Sequence, residues 1–253
     1  MSRWSADPLR IALAPGEAAL LRTRGTSASR ILAANERGAA SLLPLLDEAL
    51  ADPDWRSRRV EVVLSQHFVR HVLTPAPGST LSRAEERALV NASLRSIYGD
   101  ETRQWNVQVF SQPPQYGLVG AAMDASFIRQ LDDLLTRHGF RAVTIRPLAS
   151  VAAPQLPRKY AGWWVLVEPG WLTLFGRANG VWQHISGQPV GDDWIDILPD
   201  LIEREAVSAN QAMPPAVWIQ AVGTGPAPKP AVGDWQMLPH DPDTRGALAL
   251  AGI

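Results

Sequence analysis

The chain has 253 residues, 46% hydrophobic and 19% charged, with 24 Lys and Arg against 25 Asp and Glu for a net charge of −1. This is the composition of an ordinary folded protein, long enough for one large domain or two lobes, and it excludes a disordered chain. The balanced, scattered charge argues against a nucleic-acid partner, and the absence of cysteine removes disulfides and thiolate chemistry and fits a reducing, cytoplasmic compartment.

The opening residues lack an apolar signal core, and no apolar run approaches the roughly 18 to 20 residues that span a bilayer, so no membrane span of its own is expected. Residues 9–13 are apolar at nearly alternate positions, Pro15-Gly16 breaks the run, and residues 18–23 resume it. That pattern predicts a hairpin. Residues 29–34 read as a third strand. Leu42, Leu43, Leu45, Leu46 and Leu50 recur at helical spacing over 39–50, with Pro44 tolerated in the first turns. A polar turn at 52–59 leads to a strand at 60–64 and a second at 68–73, joined by Ser65-Gln66-His67.

Beyond a loop at 75–78, Ser82 with Glu85 three residues on is a capping box that opens a helix through Tyr98, closed by Gly99. Leu81, Ala88, Leu89, Ala92 and Ile97 read as its apolar stripe. Extended runs at 105–110 and 116–122 form a second hairpin. Asp124 caps an amphipathic helix carrying Phe127, Ile128, Leu131, Leu134 and Leu135, stopped by Gly139. A strand at 142–145 and a short helix at 147–153 precede a linker at 154–157.

The linker divides the chain into a first lobe, 1–153, with an inserted subdomain at about 78–122, and a shorter second lobe, 154–253. In the second lobe, strands at 162–167, 171–175 and 181–185 turn at Pro169-Gly170 and Asn179-Gly180, the latter a strong two-residue hairpin signal. A helix at 194–207, a strand at 217–222 and an irregular Gly- and Pro-rich tail follow. Trp163, Trp164, Trp171, Trp182 and Trp194 crowd this region; they are expected mostly in the core, with a docking surface as the alternative.

The succession hairpin, third strand, helix, strand occurs twice. This duplication resembles the actin-like (ribonuclease H-like) α/β fold of two lobes with a small inserted α+β subdomain. The run from 82 to 147, with Val119-Gly120-Ala121-Ala122-Met123-Asp124 before one helix and Gly139-Phe140-Arg141 after it, is similar to PilM and to the cytoplasmic region of GspL. In that superfamily, nucleotide-binding members carry an Asp-x-Gly-type turn in each hairpin, whose glycines let backbone N–H groups approach phosphates. Here Leu13-Ala14-Pro15-Gly16-Glu17 lacks the acid before the glycine. Val167-Glu168-Pro169-Gly170-Trp171 keeps an acid but puts a tryptophan where a phosphate needs room. Proline in both turns removes a donor, and Gly223-Thr224-Gly225 resembles a remnant of the adenosine-binding turn.

A degenerate nucleotide cleft would therefore comprise Pro15, Gly16, Glu168, Gly170, Gly223 and Gly225. No catalytic residue, metal or cofactor is expected, the alternative being an ATPase or kinase-like protein that uses Mg-ATP through atypical phosphate turns. The resemblance implies a non-enzymatic cytoplasmic scaffold for a type IV pilus or type II secretion-like machine, peripheral at the inner membrane. Its implied partner is an inner-membrane assembly protein, bound through a short cytoplasmic segment in a groove beside the inserted subdomain, near 82–98 and 105–122. Homo-oligomerisation is left open.

Other constellations read as structural. His67 and His71 lie about 13 Å apart in an extended chain, too far for one ion, and are expected on a solvated strand face. His138, His184 and His240 have no paired acid in any recognisable motif. Asp132-Asp133 and Asp192-Asp193 read as surface or helix-start carboxylates.

Overall fold

The strand Gly162–Glu168 is buried along its whole length, and it reads as a continuous apolar run because both faces of its sheet are covered. The computed structural model describes residues 8–23, 28–209, 216–224, 235–239 and 243–253. β1 (Leu9–Ala14), β2 (Glu17–Arg22) and β3 (Ala28–Ala33) form an antiparallel meander, and α1 (Leu42–Leu50) crosses back to β4 (Arg59–Leu64), which runs parallel to β1. Next come β5 (Arg70–Leu73), α2 (Arg83–Tyr98), β6 (Trp105–Phe110), β7 (Val119–Asp124), α3 (Ala125–Arg137), β8 (Ala142–Pro147) and α4 (Leu148–Ala152). The remainder holds β9 (Gly162–Glu168), β10 (Trp171–Ala178), β11 (Val181–Pro189), α5 (Trp194–Ser208), β12 (Val217–Ala221), β13 (Trp235–Met237) and α6 (Gly246–Gly252).

Two five-stranded sheets, ordered β3-β2-β1-β4-β8 and β11-β10-β9-β12-β13, share one topology. The equivalence holds at the residue level. Ser65 N–H donates to the Leu13 carbonyl at 2.9 Å, as Val222 N–H donates to the Val167 carbonyl at 2.8 Å. Pro15-Gly16 and Pro169-Gly170 are thus matching turns, each with a left-handed glycine at φ 78° and 80°.

Leu9, Ile11 and Leu13 face α1 and α3, while Ala12 and Ala19 face the other lobe. Trp163 packs under α5 and its neighbour Trp164 between the lobes, because successive strand residues point to opposite faces. The core between the lobes joins Ala12, Ala19, Trp164, Leu166 and Phe175 with Leu148 and Ala152 of α4 and Ala247, Leu250 and Ala251 of α6.

The capping box at Ser82, the Asp124 cap (2.7 Å from Phe127 N) and the Asn179-Gly180 turn are present as the residues predict. Several expectations change. The strand expected at 68–73 starts only at Arg70, after a 3-10 turn at 66–68 capped by Ser65. It joins neither five-stranded sheet: the third sheet is ordered β5-β7-β6 and covered by α2. Val90 and Leu94, not Ala88, Ala92 and Ile97, are the buried residues of α2. Gly120 on β7 leaves the space that Val90 and Val72 fill, which sets the helix rotation. The tail is not wholly irregular. It contributes β13 and α6, whose Ala247, Leu250 and Ala251 recur at helical spacing and are buried against β1 and β2.

Candidate functional site

Ligand crevices of α/β sheets form at the carboxyl ends of the parallel strands, and both proline-glycine turns lie there. Glu168, the last residue of β9, is buried; its Oε1 accepts the Gln66 N–H at 2.8 Å, and the Ser65 hydroxyl also bonds it. Burial pushes this carboxyl up to about 7, against the two hydrogen bonds. The turn that follows packs on the same segment. His67 Nε2 lies 3.0 Å from the Pro169 carbonyl oxygen, its ring contacts Trp171 at 5.4 Å between centroids, and a side chain at Gly170 would meet it.

At the matching turn, the Gly16 carbonyl stays within the lobe, accepting from Ala34 N–H at 2.8 Å. Glu17 reaches the start of α6, where its Oε2 accepts the Ala247 N–H at 3.1 Å. The other end of α6 is met by Arg10, which donates to the Ala251 carbonyl at 3.3 Å. An acid at the first turn and a cation at the last satisfy orphan backbone groups and oppose the helix dipole. Gly223, at φ 73°, abuts Gly246, and its carbonyl accepts the Gly246 N–H at 3.3 Å. Gly225 lies outside the described residues.

The sequence-predicted residues therefore fall into two groups. Glu168, Pro169 and Gly170 close on residues 65–68, whereas at the matching turn Gly16 packs against residues 34–37 and only Glu17 and Gly223 meet the start of α6. A cavity of about 430 Å³ beside Gly223 is lined by Gln155, Gln220, Val222 and Thr244 and by neither hairpin turn. Ser65, Gln66 and Glu17 were not anticipated. The available signal was position: a buried Ser-Gln pair at the carboxyl end of an apolar parallel strand.

The histidine readings are corrected. His67 and His71 do not lie on a solvated face. His71 is held by Gln66 Nε2 at 3.0 Å and packs edge-on against Phe175, and burial pushes it down to about 4 against the Gly120 backbone. His138 and His184 do have acids, Asp47 at 2.6 Å and Glu205 at 2.7 Å, supplied by distant elements. His240 is outside the described residues. Asp132, Asp133, Asp192 and Asp193 are exposed, and among the described residues no cluster of three metal-ligating side chains occurs.

A second candidate is a groove of about 280 Å³ between β6, β7, α3 and β8. It is lined by Asn106, Gln108, Met123, Ile128, Val143 and Ile145. β6 and β8 are the outer strands of their sheets, and outer strands are where an extended peptide adds by backbone pairing. No helix among the described residues is long and apolar enough to cross a membrane.

No protein-family model and no curated protein matches the sequence. Solved structures do match the fold. The cytoplasmic domain of EpsL, an inner-membrane component of the type II secretion system of Vibrio cholerae, superposes with a TM-score of 0.56 at 17% identity, over 96% of this chain and 92% of that one. PilM in the PilM-PilN type IV pilus biogenesis complex gives 0.53 at 14% identity over 85% and 81%. A Bacteroides thetaiotaomicron protein with an actin-like ATPase fold gives 0.51 at 11% identity over 88% and 85%. The chain has the two-lobed actin-like fold, in the layout of the PilM and EpsL structures.

Proposed function

We propose that this actin-like chain is a non-enzymatic scaffold of a type IV pilus or type II secretion-like assembly, cytoplasmic and peripheral at the inner membrane. One observation carries the reading. The acids of the two hairpins, Glu17 and Glu168, are engaged by backbone N–H groups of Ala247 and Gln66, so the N–H donors at the corners that would cradle phosphates are already taken by carboxyl groups of the chain itself. The nucleotide turns are in this sense degenerate, and no cofactor is assigned. The likeness to an inner-membrane secretion component and to a pilus biogenesis protein supports the assembly role.

The partner segment, from an inner-membrane assembly protein, is assigned to the groove between β6 and β8. Half-buried Val143 and Ile145 offer apolar floor, and Asn106 and Gln108 offer a polar wall. Affinity isolation from solubilised native membranes tests this, comparing wild type with Ile145→Lys. The expected result is an inner-membrane pilus or secretion component retained by wild type and lost from the variant at unchanged circular dichroism. Equal retention by both, or no such component with wild type, would overturn the reading.

A further inference from the structure

A cleft of about 490 Å³ separates the three-stranded sheet from the second lobe, between β5, the end of α2, β10 and β11. It is distinct from the β6/β8 groove, and neither Pro15, Gly16 nor Gly223 lines it. Its volume is in the range of small-molecule sites.

Three features point to the chemistry it would take. Arg70 is half-buried and has no acidic partner among the described residues. Its Nη1 instead donates to the His67 and Val69 carbonyls at 2.9 and 3.3 Å, and the guanidinium lies 5.5 Å above the Trp171 ring. Two backbone carbonyls and an indole fix its orientation and leave Nη2 and Nε without a hydrogen-bond partner among the described residues. A fixed, unneutralised guanidinium presents its donors as a fork that matches carboxylate and phosphate oxygens.

Thr173 Oγ1 is the second feature. The residue lines the cleft, is only 2% exposed, and its hydroxyl has no hydrogen-bond partner among the described residues. Buried hydroxyls are nearly always bonded, so an orphan at a cleft wall calls for an occupant. Third, Tyr98 and His71 also line the cleft, and Arg70 is close enough to Tyr98 to act on its ionisation. His71 is neutral at physiological pH, so Arg70 carries the positive charge that would select a ligand.

We propose that this cleft binds a small organic oxyanion, a carboxylate or phosphate monoester, gripped by Arg70 with Thr173 as a second donor. The proposal is independent of the scaffold reading, because it uses no residue of the β6/β8 groove. Among the described residues the unpaired charge of the wall comes from one guanidinium: His184 is closed on Glu205 at 2.7 Å, and the polar Gln183, Ser186 and Ser208 carry no charge, which suits a singly anchored anion rather than a polyphosphate.

Calorimetric and NMR titrations with inorganic phosphate and with acetate, against sodium chloride at equal ionic strength, test it. Wild type is expected to bind at least one probe saturably, with shifts at the Trp171 indole and His71 ring. The probe that binds distinguishes phosphate from carboxylate. Arg70→Gln should weaken binding by about tenfold or more, the size of one charge-assisted hydrogen bond. Thr173→Val keeps the shape and removes only the orphan hydroxyl, so it folds as wild type does and should bind several-fold more weakly. If Arg70→Gln does not fold, the Thr173→Val comparison decides. No saturable binding of either probe, or undiminished binding in the folded variants, overturns the proposal.

Discussion

Glu168 and His71 are both enclosed where the inserted sheet meets the second lobe, and burial moves them in opposite directions: the acid from 4.5 up to about 7, the imidazole from 6.5 down to about 4. Between pH 4.5 and 7 the folded chain holds a proton on Glu168 that the unfolded chain releases. Stability from this group therefore falls as pH rises through that window. Between pH 4 and 6.5 the unfolded chain binds a proton on His71 that the folded chain excludes, so this contribution falls as pH falls. The slopes oppose one another from 4.5 to 6.5. Glu168→Gln should unmask the histidine: relative to wild type, its stability should drop on acidification from pH 6.5 to 4.5. At pH 8 it should exceed wild type by up to about 3 kcal/mol. Urea midpoints over a pH series measure this, and superimposable profiles would refute it. None of this was legible in the sequence. Glu168 was visible as the acid that the second turn keeps, but its partner Gln66 is 102 residues away and meets it only after the lobes close.

At the scale of elements, most boundaries follow from local chemistry. Ser82 with Glu85, Asp124, and the glycines at 99 and 139 mark their helices because capping is decided within one turn. The rotation of α2 is not local; it follows Gly120, on a strand that packs beneath it. α6 was hidden for a related reason. Seven residues cannot be stable alone, and Gly246–Gly252 follows a Gly- and Pro-rich stretch, so the sequence there reads as tail. Its stability comes from Leu250 packed into the core between the lobes and from Glu17 and Arg10 at its two ends. Leu250→Ala should cost about 2 to 5 kcal/mol, as for other fully buried leucines. A loss below about 1 kcal/mol in chemical denaturation would mean that α6 adds little to holding the lobes together.

For the whole molecule, α4, α6 and the Glu168 contact all cross between lobes, and a fourth tie comes from the inserted subdomain. The Gln112 side chain accepts the Trp182 N–H at 2.7 Å and donates to the Trp182 carbonyl at 3.0 Å, as a neighbouring strand would on that open edge. Four ties hold the lobes together, with the acids at both proline-glycine corners internally engaged. Millimolar Mg-ATP is accordingly expected to leave the melting temperature unchanged. A nucleotide at 100 times its dissociation constant would add about 2.7 kcal/mol, so saturable stabilisation would show that the corners open. The sequence by itself determined the duplicated order of strands and helices, the caps and the two proline-glycine turns, because periodicity and turn chemistry act over a few residues. Only the tertiary structure decided that Glu17 faces α6, that Glu168 faces Gln66, and that Arg70 has no acid opposite it among the described residues. Those pairings join positions tens to hundreds of residues apart, and burial, which sets their chemistry, exists only once the lobes have packed.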